Sequence, residues 1–154
     1  MKKHLIASAL TLSLICSGAL ADETSESVGS PGDPGKISRT VEITAVENRF
    51  KPSEIKVKQG ETIKFLVKNK GEKKHEFMLG TAEEIDDHGK MMKRNPDMEH
   101  PDEPNMITIN PGDTRELVWH FTEAGTVSFA CPLPGHFKGM NFPGMKGLIT
   151  VEAK

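Results

Sequence analysis

The stretch Ile55-Lys-Val-Lys-Gln-Gly60-Glu-Thr-Ile-Lys-Phe-Leu-Val67 sets the fold class. Ile55 and Val57 alternate with Lys56 and Lys58, Gln59-Gly60-Glu61 makes a turn, and Ile63, Phe65 and Val67 resume the alternation. A period of two puts one face of each run on a core and leaves the other in water, the pattern of half-buried strands. The same period runs outward on both sides. Upstream it passes through Val41, Ile43 and Ala45; downstream it passes through His75–Leu79, Met106–Ile109, Arg115–Phe121, Val127–Ala130 and Gly147–Val151. Asn110-Pro-Gly-Asp113 and Ala124-Gly125 read as turns between these runs. Short strands at this spacing predict an all-β protein, an antiparallel β-sandwich. The pattern breaks once, over 81–105, where the chain is polar and carries methionine and histidine; a short helix is predicted over Glu83–Arg94, ended by Pro96, Pro101 and Pro104.

The two ends have different characters. Lys2 and Lys3 precede an apolar run that closes on Ala19-Leu20-Ala21, the basic, apolar and small-residue order of a signal peptide over 1–21. The run is too short and too early for a membrane span. Cys16 sits where a lipid could attach, but bulky Ile15 precedes it where lipoprotein signals want a small residue. Residues 22–38 are rich in Ser, Gly, Pro and acids and read as a flexible leader, which leaves 39–154 as one domain. Loss of Lys2 and Lys3 takes the formal charge from −2 to −4. No strongly basic patch remains, so nucleic acid is set aside as a partner. Cys16 leaves with the signal, so Cys131 becomes the lone thiol of an exported chain. Such a thiol invites damage unless something occupies it.

The surroundings of that thiol carry the chemistry: Cys131-Pro-Leu-Pro-Gly-His136-Phe-Lys-Gly-Met140-Asn-Phe-Pro-Gly-Met145. A thiolate binds copper softly, two neutral imidazoles suit both oxidation states, and a long thioether contact tunes potential. The loop offers the thiolate, one imidazole and two methionines. His75, after Gly71-Glu-Lys-Lys74, is the candidate second imidazole. Pro132, Pro134 and Gly135 fold the Cys131–His136 interval tightly. Of the residues there, the prolines have no N–H to offer the sulfur, whereas Leu133 has one.

With these residues in view, the chain resembles the cupredoxins. Asn48-Arg-Phe-Lys-Pro-Ser-Glu-Ile-Lys-Val-Lys-Gln-Gly-Glu-Thr-Ile-Lys-Phe, His75-Glu-Phe, Cys131-x4-His136 and Met145-Lys-Gly-Leu-Ile-Thr-Val carry the likeness, over roughly Thr40 to the C-terminus. The ligand loop is azurin- and rusticyanin-like, while His75-Glu-Phe and the Met/His-bearing insertion are closer to periplasmic cupredoxins of copper tolerance. The resemblance implies an eight-stranded Greek-key β-sandwich with one type 1 copper at one end, held by His75, Cys131 and His136. It also implies an axial methionine. Distance from the loop histidine favours Met140, whereas a place just before the last strand favours Met145. Asn141-Phe-Pro-Gly144 reads as an insertion separating the two cues, and strand register favours Met145. Glu76 departs from azurin-like proteins, which often carry an uncharged residue there.

His88, Met91, Met92, Met98, His100 and Met106 are candidates for a second, weaker Cu(I) site; the competing reading packs Met91 and Met92 on a helix face and leaves the histidines in solvent. His120, between Trp119 and Phe121, is expected to face water. Leu133, Pro134, Phe137 and Phe142 beside His136 suggest an exposed apolar patch where a redox or copper-handling partner docks. The expected protein is a periplasmic one-electron carrier in the context of copper tolerance. The alternative is a copper-sequestering or copper-delivering protein that works through the insertion. An enzyme is not expected: the chain has no His-x-His pair for further copper centres, and one domain is short for a nitrite reductase or multicopper oxidase.

Overall fold

The alternation seen in the sequence builds two facing sheets in the computed structural model, which describes residues 29–95, 101, 103–137 and 144–154. Among the described residues the strands are β1 (Ser30–Pro31), β2 (Arg39–Val46), β3 (Arg49–Lys51), β4 (Glu54–Lys58), β5 (Thr62–Asn69), β6 (His75–Gly80), β7 (Met106–Ile109), β8 (Thr114–His120), β9 (Gly125–Ala130) and β10 (Lys146–Glu152), with a single 3-10 turn at Pro34–Lys36 and one α-helix, α1 (Ala82–Arg94), between β6 and β7. The sheet orders are β1-β8-β5-β2-β3 and β4-β10-β9-β6-β7. Setting aside the two shortest strands, β1 and β3, leaves the eight-stranded sandwich implied by the resemblance. The pairing is not wholly antiparallel, however. β2 runs parallel to β5, and β4 parallel to β10. The chain leaves the first sheet after β3, turns at Pro52-Ser53, spends β4 in the second sheet and returns as β5. That excursion is the crossover a parallel pair needs.

Ile43, Ile63, Phe65, Val67, Phe77, Leu79, Phe129 and Ile149 meet between the sheets, each at 1% exposure or less. Phe77 sits at the middle, with ring centroids of Phe129, Phe50 and Phe65 at 5.3, 5.5 and 5.6 Å.

Part of the segment read as a flexible leader is built into the first sheet. Residues 29–38 belong to the fold: β1 pairs with β8, Gly32 N–H donates to Val118 at 3.0 Å and Ser38 N–H to Thr62 at 2.8 Å. Main-chain hydrogen bonds to the sheet edge hold this segment, and a polar composition is silent about those. Pro31 fits because an edge strand can spare an N–H. β1 also accounts for His120, which is half-buried and lies 3.1 Å from the Thr62 hydroxyl instead of facing water. The regions read as signal (1–21) and early leader (22–28) lie outside the described residues, as do Met98, His100, Met140 and Phe142. Among the described residues no helix is long and apolar enough to cross a membrane.

Helix α1 begins one residue before the predicted start. Thr81 and Glu84 close a reciprocal capping box, with Glu84 N–H donating to the Thr81 hydroxyl at 3.2 Å and Thr81 N–H to the Glu84 carboxylate at 2.7 Å. Glu83 and Glu84 in the first turn and Lys93 and Arg94 in the last both suit the helix dipole.

Candidate metal centre

His75 opens β6, and its position is set by the loop before it. The buried Asn69 side chain donates to the Lys73 and Ile109 carbonyls at 2.7 and 3.0 Å and accepts from Gly71 N–H at 2.9 Å. The Glu47 carboxylate accepts from the N–H groups of Glu72 and Lys73. These contacts fix the last turn before the histidine. Neither residue stood out in the sequence.

The second arm is the loop after β9. His136 N–H donates to the Leu133 carbonyl at 3.0 Å, with Pro134 and Gly135 between them and Gly135 at φ +83°. Proline followed by a positive-φ glycine is the signature of a type II turn. A rigid turn thus sets the spacing of Cys131 and His136. Met145 closes the arrangement through its backbone: its N–H donates to the His136 carbonyl at 2.8 Å, and its carbonyl accepts from Cys131 N–H at 2.9 Å. In the β9–β10 ladder Lys146 faces Ala130, so Met145 falls opposite Cys131 one step beyond. Its side chain is fully buried.

The three donors converge. His136 Nδ1 lies 3.3 Å from both the Cys131 sulfur and His75 Nδ1, and all three ligand atoms lie within 4.8 Å of one another. Cys131 and His75 are fully buried and His136 is half-buried at the surface. Burial pushes the Cys131 thiol up to about 12, opposed by the N–H groups of Glu76 and Leu133. Burial, then the neighbouring His136, brings His75 down to about 4; burial also lowers His136. At neutral pH the site therefore presents two neutral imidazoles and one protonated thiol. Loading a cation exchanges the thiol proton for metal. One sulfur and two imidazole nitrogens beside a buried thioether fit copper; a structural zinc site would want a fourth strong donor. Glu76 N–H reaches the sulfur at 3.3 Å, and Leu133 acts there as its free N–H suggested.

The family model for the cupredoxin-like domain matches residues 8–92, more than half of the chain. The copper-resistant cuproprotein CopI of Rubrivivax gelatinosus is 40% identical over 136 residues, covering 88% of this chain and 79% of that one. The chain belongs to the cupredoxin family. Among solved structures, auracyanin B superposes with a TM-score of 0.62 at 21% identity, over 80% of this chain and 94% of its own, which speaks to fold alone. Auracyanin A of Chloroflexus aurantiacus, described as a "blue" copper protein, has a TM-score of 0.55 at 28% identity, over 73% of this chain and 97% of its own.

This cupredoxin treats its other methionines and histidines differently. Met92 and Met106 are buried in the core, and Met91 packs against it. His88 is not in solvent; it is buried against Glu76. Of the apolar residues beside His136, three are described. Leu133 is buried and Phe137 packs on Met78, Ile85, Met106 and Ala130, leaving Pro134 exposed.

Proposed function

We propose that this cupredoxin is a periplasmic type 1 copper protein that carries single electrons in the service of copper tolerance. The observation that carries the reading is the convergence of His75 Nδ1, His136 Nδ1 and the Cys131 sulfur, with Met145 bound by its backbone to two of the three. Copper supplies the one-electron couple when bound. The chain's own residues do the rest: the imidazoles and thiolate hold the cation, the N–H groups of Glu76 and Leu133 bear on the sulfur, and the sandwich excludes water. Half-buried His136 is the route for electrons, so the redox or copper-handling partner docks around it. The copper-resistance name of the Rubrivivax relative supports tolerance, and the signal-like 1–21 supports export. We read the protein as a carrier rather than an enzyme. Burial of Met92 and Met106 weakens the sequestration alternative by removing two of its candidate donors.

The test is the response of the purified protein to Cu(II). An intense blue or green colour at one copper per chain supports the reading, and a colourless product overturns it. More than one tightly held Cu(I) per chain would favour sequestration or delivery.

Met145 is the proposed axial ligand. Met145→Leu is expected to shift the copper absorption bands and the reduction potential while leaving the colour intense, because a weak axial thioether tunes the site without holding it. An unchanged spectrum there, with a shifted one in Met140→Leu, would move the assignment to Met140.

A further inference from the structure

All six residues of β6 are buried, which a strand with one solvent face does not achieve. The reason is α1. The chain reverses at Thr81 and lays the helix over the outer face of β6, where Glu76, Met78 and Gly80 share one side by the period of two. The helix meets them with a stripe of buried residues at helical spacing, Ile85, His88 and Met92. Ile85 joins Met78 in one apolar cluster. One turn later His88 faces Glu76, with Nε2 3.8 Å from Oε2 and the two side chains only 7% and 2% exposed. The next residue, Gly89, lies against the ligand loop, where an added Cβ would come within 3.2 Å of the Pro132 carbonyl oxygen.

Glu76 therefore has two lives. Its backbone follows His75 and donates to the Cys131 sulfur; its carboxylate is sealed under α1. A buried carboxylate is costly unless partners meet it, and removing one of them weakens its hold beneath the helix. Any movement that follows draws the Glu76 N–H away from the sulfur and turns the strand at His75.

We infer that His88 is a positioning residue of the metal centre: by meeting the buried Glu76 carboxylate it fixes the N–H that donates to the Cys131 sulfur. The inference rests on the copper reading for its spectroscopic consequence but not for its mechanical one. The helix in the Met/His-bearing insertion is then a brace on the ligand set, and His88 is not a donor to a second copper.

Two variants of the purified protein test this. His88→Leu fills the space without a donor, and His88→Gln keeps a donor for the carboxylate. In the metal-free protein, His88→Leu is expected to speed hydrogen exchange at the Glu76 amide and alkylation of Cys131 by iodoacetamide about ten-fold each, in line with coupling through one buried pair. His88→Gln should stay within about two-fold of the parent on the same scale. In the Cu(II) form, His88→Leu should shift the sulfur-to-copper band and lower the reduction potential, because a sulfur stripped of a hydrogen bond favours the oxidised metal; His88→Gln should restore both. If His88→Leu fails to fold, the double variant with Glu76→Gln should fold, since an amide costs less to bury than a carboxylate, and a double variant that also fails overturns the inference. So does a Glu76 exchange rate unmoved by His88→Leu, or equal effects of Leu and Gln. Loss of one Cu(I) equivalent in His88→Leu with the Glu76 amide unchanged would instead make His88 a metal donor. If the parent itself shows no sulfur-to-copper band, the copper reading fails, while the exchange data still judge the brace.

Discussion

Replacing Cys131 with serine is expected to give a folded protein that stays colourless with Cu(II). The side chain loses its soft sulfur and little volume, while the backbone bond from residue 131 to the Met145 carbonyl is untouched. The serine hydroxyl does not ionise in the usable pH range, so only two imidazoles and a thioether remain to hold the cation. Loss of an outer-shell partner typically costs a metal site about 10–100-fold in affinity, and a lost thiolate ligand should exceed about a hundred-fold. The intense band should vanish entirely, since it arises from sulfur-to-copper charge transfer. Absorption titration, competition against a chelator and a thermal melt together make the measurement. A persistent intense band or an unchanged affinity would remove Cys131 from the site, and the type 1 reading with it.

How much of this was legible in the residues depends on what held each part. Strands with apolar alternation, β2, β4, β5 and β10, announced themselves because their packing is made by the side chains that form the pattern. The helix announced itself through the prolines that follow it. The place of Met145 opposite Cys131 was legible because register is a sequence property: Gly144-Met-Lys-Gly147 keeps step with β9, and Lys146 does face Ala130. β1 was not legible, since it is held by main-chain bonds to β8 and has no apolar content to report. His88 was misread for a related reason. A histidine among Glu, Asp and Lys looks solvated, and only the fold-back of α1 over β6 shows that it is buried against the Glu76 carboxylate, next to His75 in the chain. Asn69 is similar, its three hydrogen bonds joining loop and strands that sequence spacing does not bring together.

Phe77→Ala is expected to lower stability by about 3–5 kcal/mol, the usual cost of emptying a buried phenylalanine site. The ring is fully buried and touches three other phenylalanines from β3, β5 and β9, so one truncation opens a hole where both sheets meet. Against a total of about 5–15 kcal/mol for a domain, that is a large share. For a chain of this length it corresponds to a melting temperature lower by about 10–20 °C. The metal separates this effect from that of Cys131→Ser. A ligand that binds only the folded state adds stability that grows with its concentration over its dissociation constant. Phe77 points into the core and offers the cation nothing, so copper should raise the melting temperature of Phe77→Ala as it does the parent's, and both should show the sulfur-to-copper band. Cys131→Ser should show the reverse: a metal-free melting temperature near the parent's and little rise with copper. Thermal unfolding followed by circular dichroism, with and without Cu(II), reads all of these. A Phe77→Ala loss below about 1 kcal/mol would mean that the four-ring cluster is not where the sandwich is held. If copper no longer stabilised Phe77→Ala, the core and the ligand set would have to be coupled along β6, since His75 lies only two residues from the missing ring.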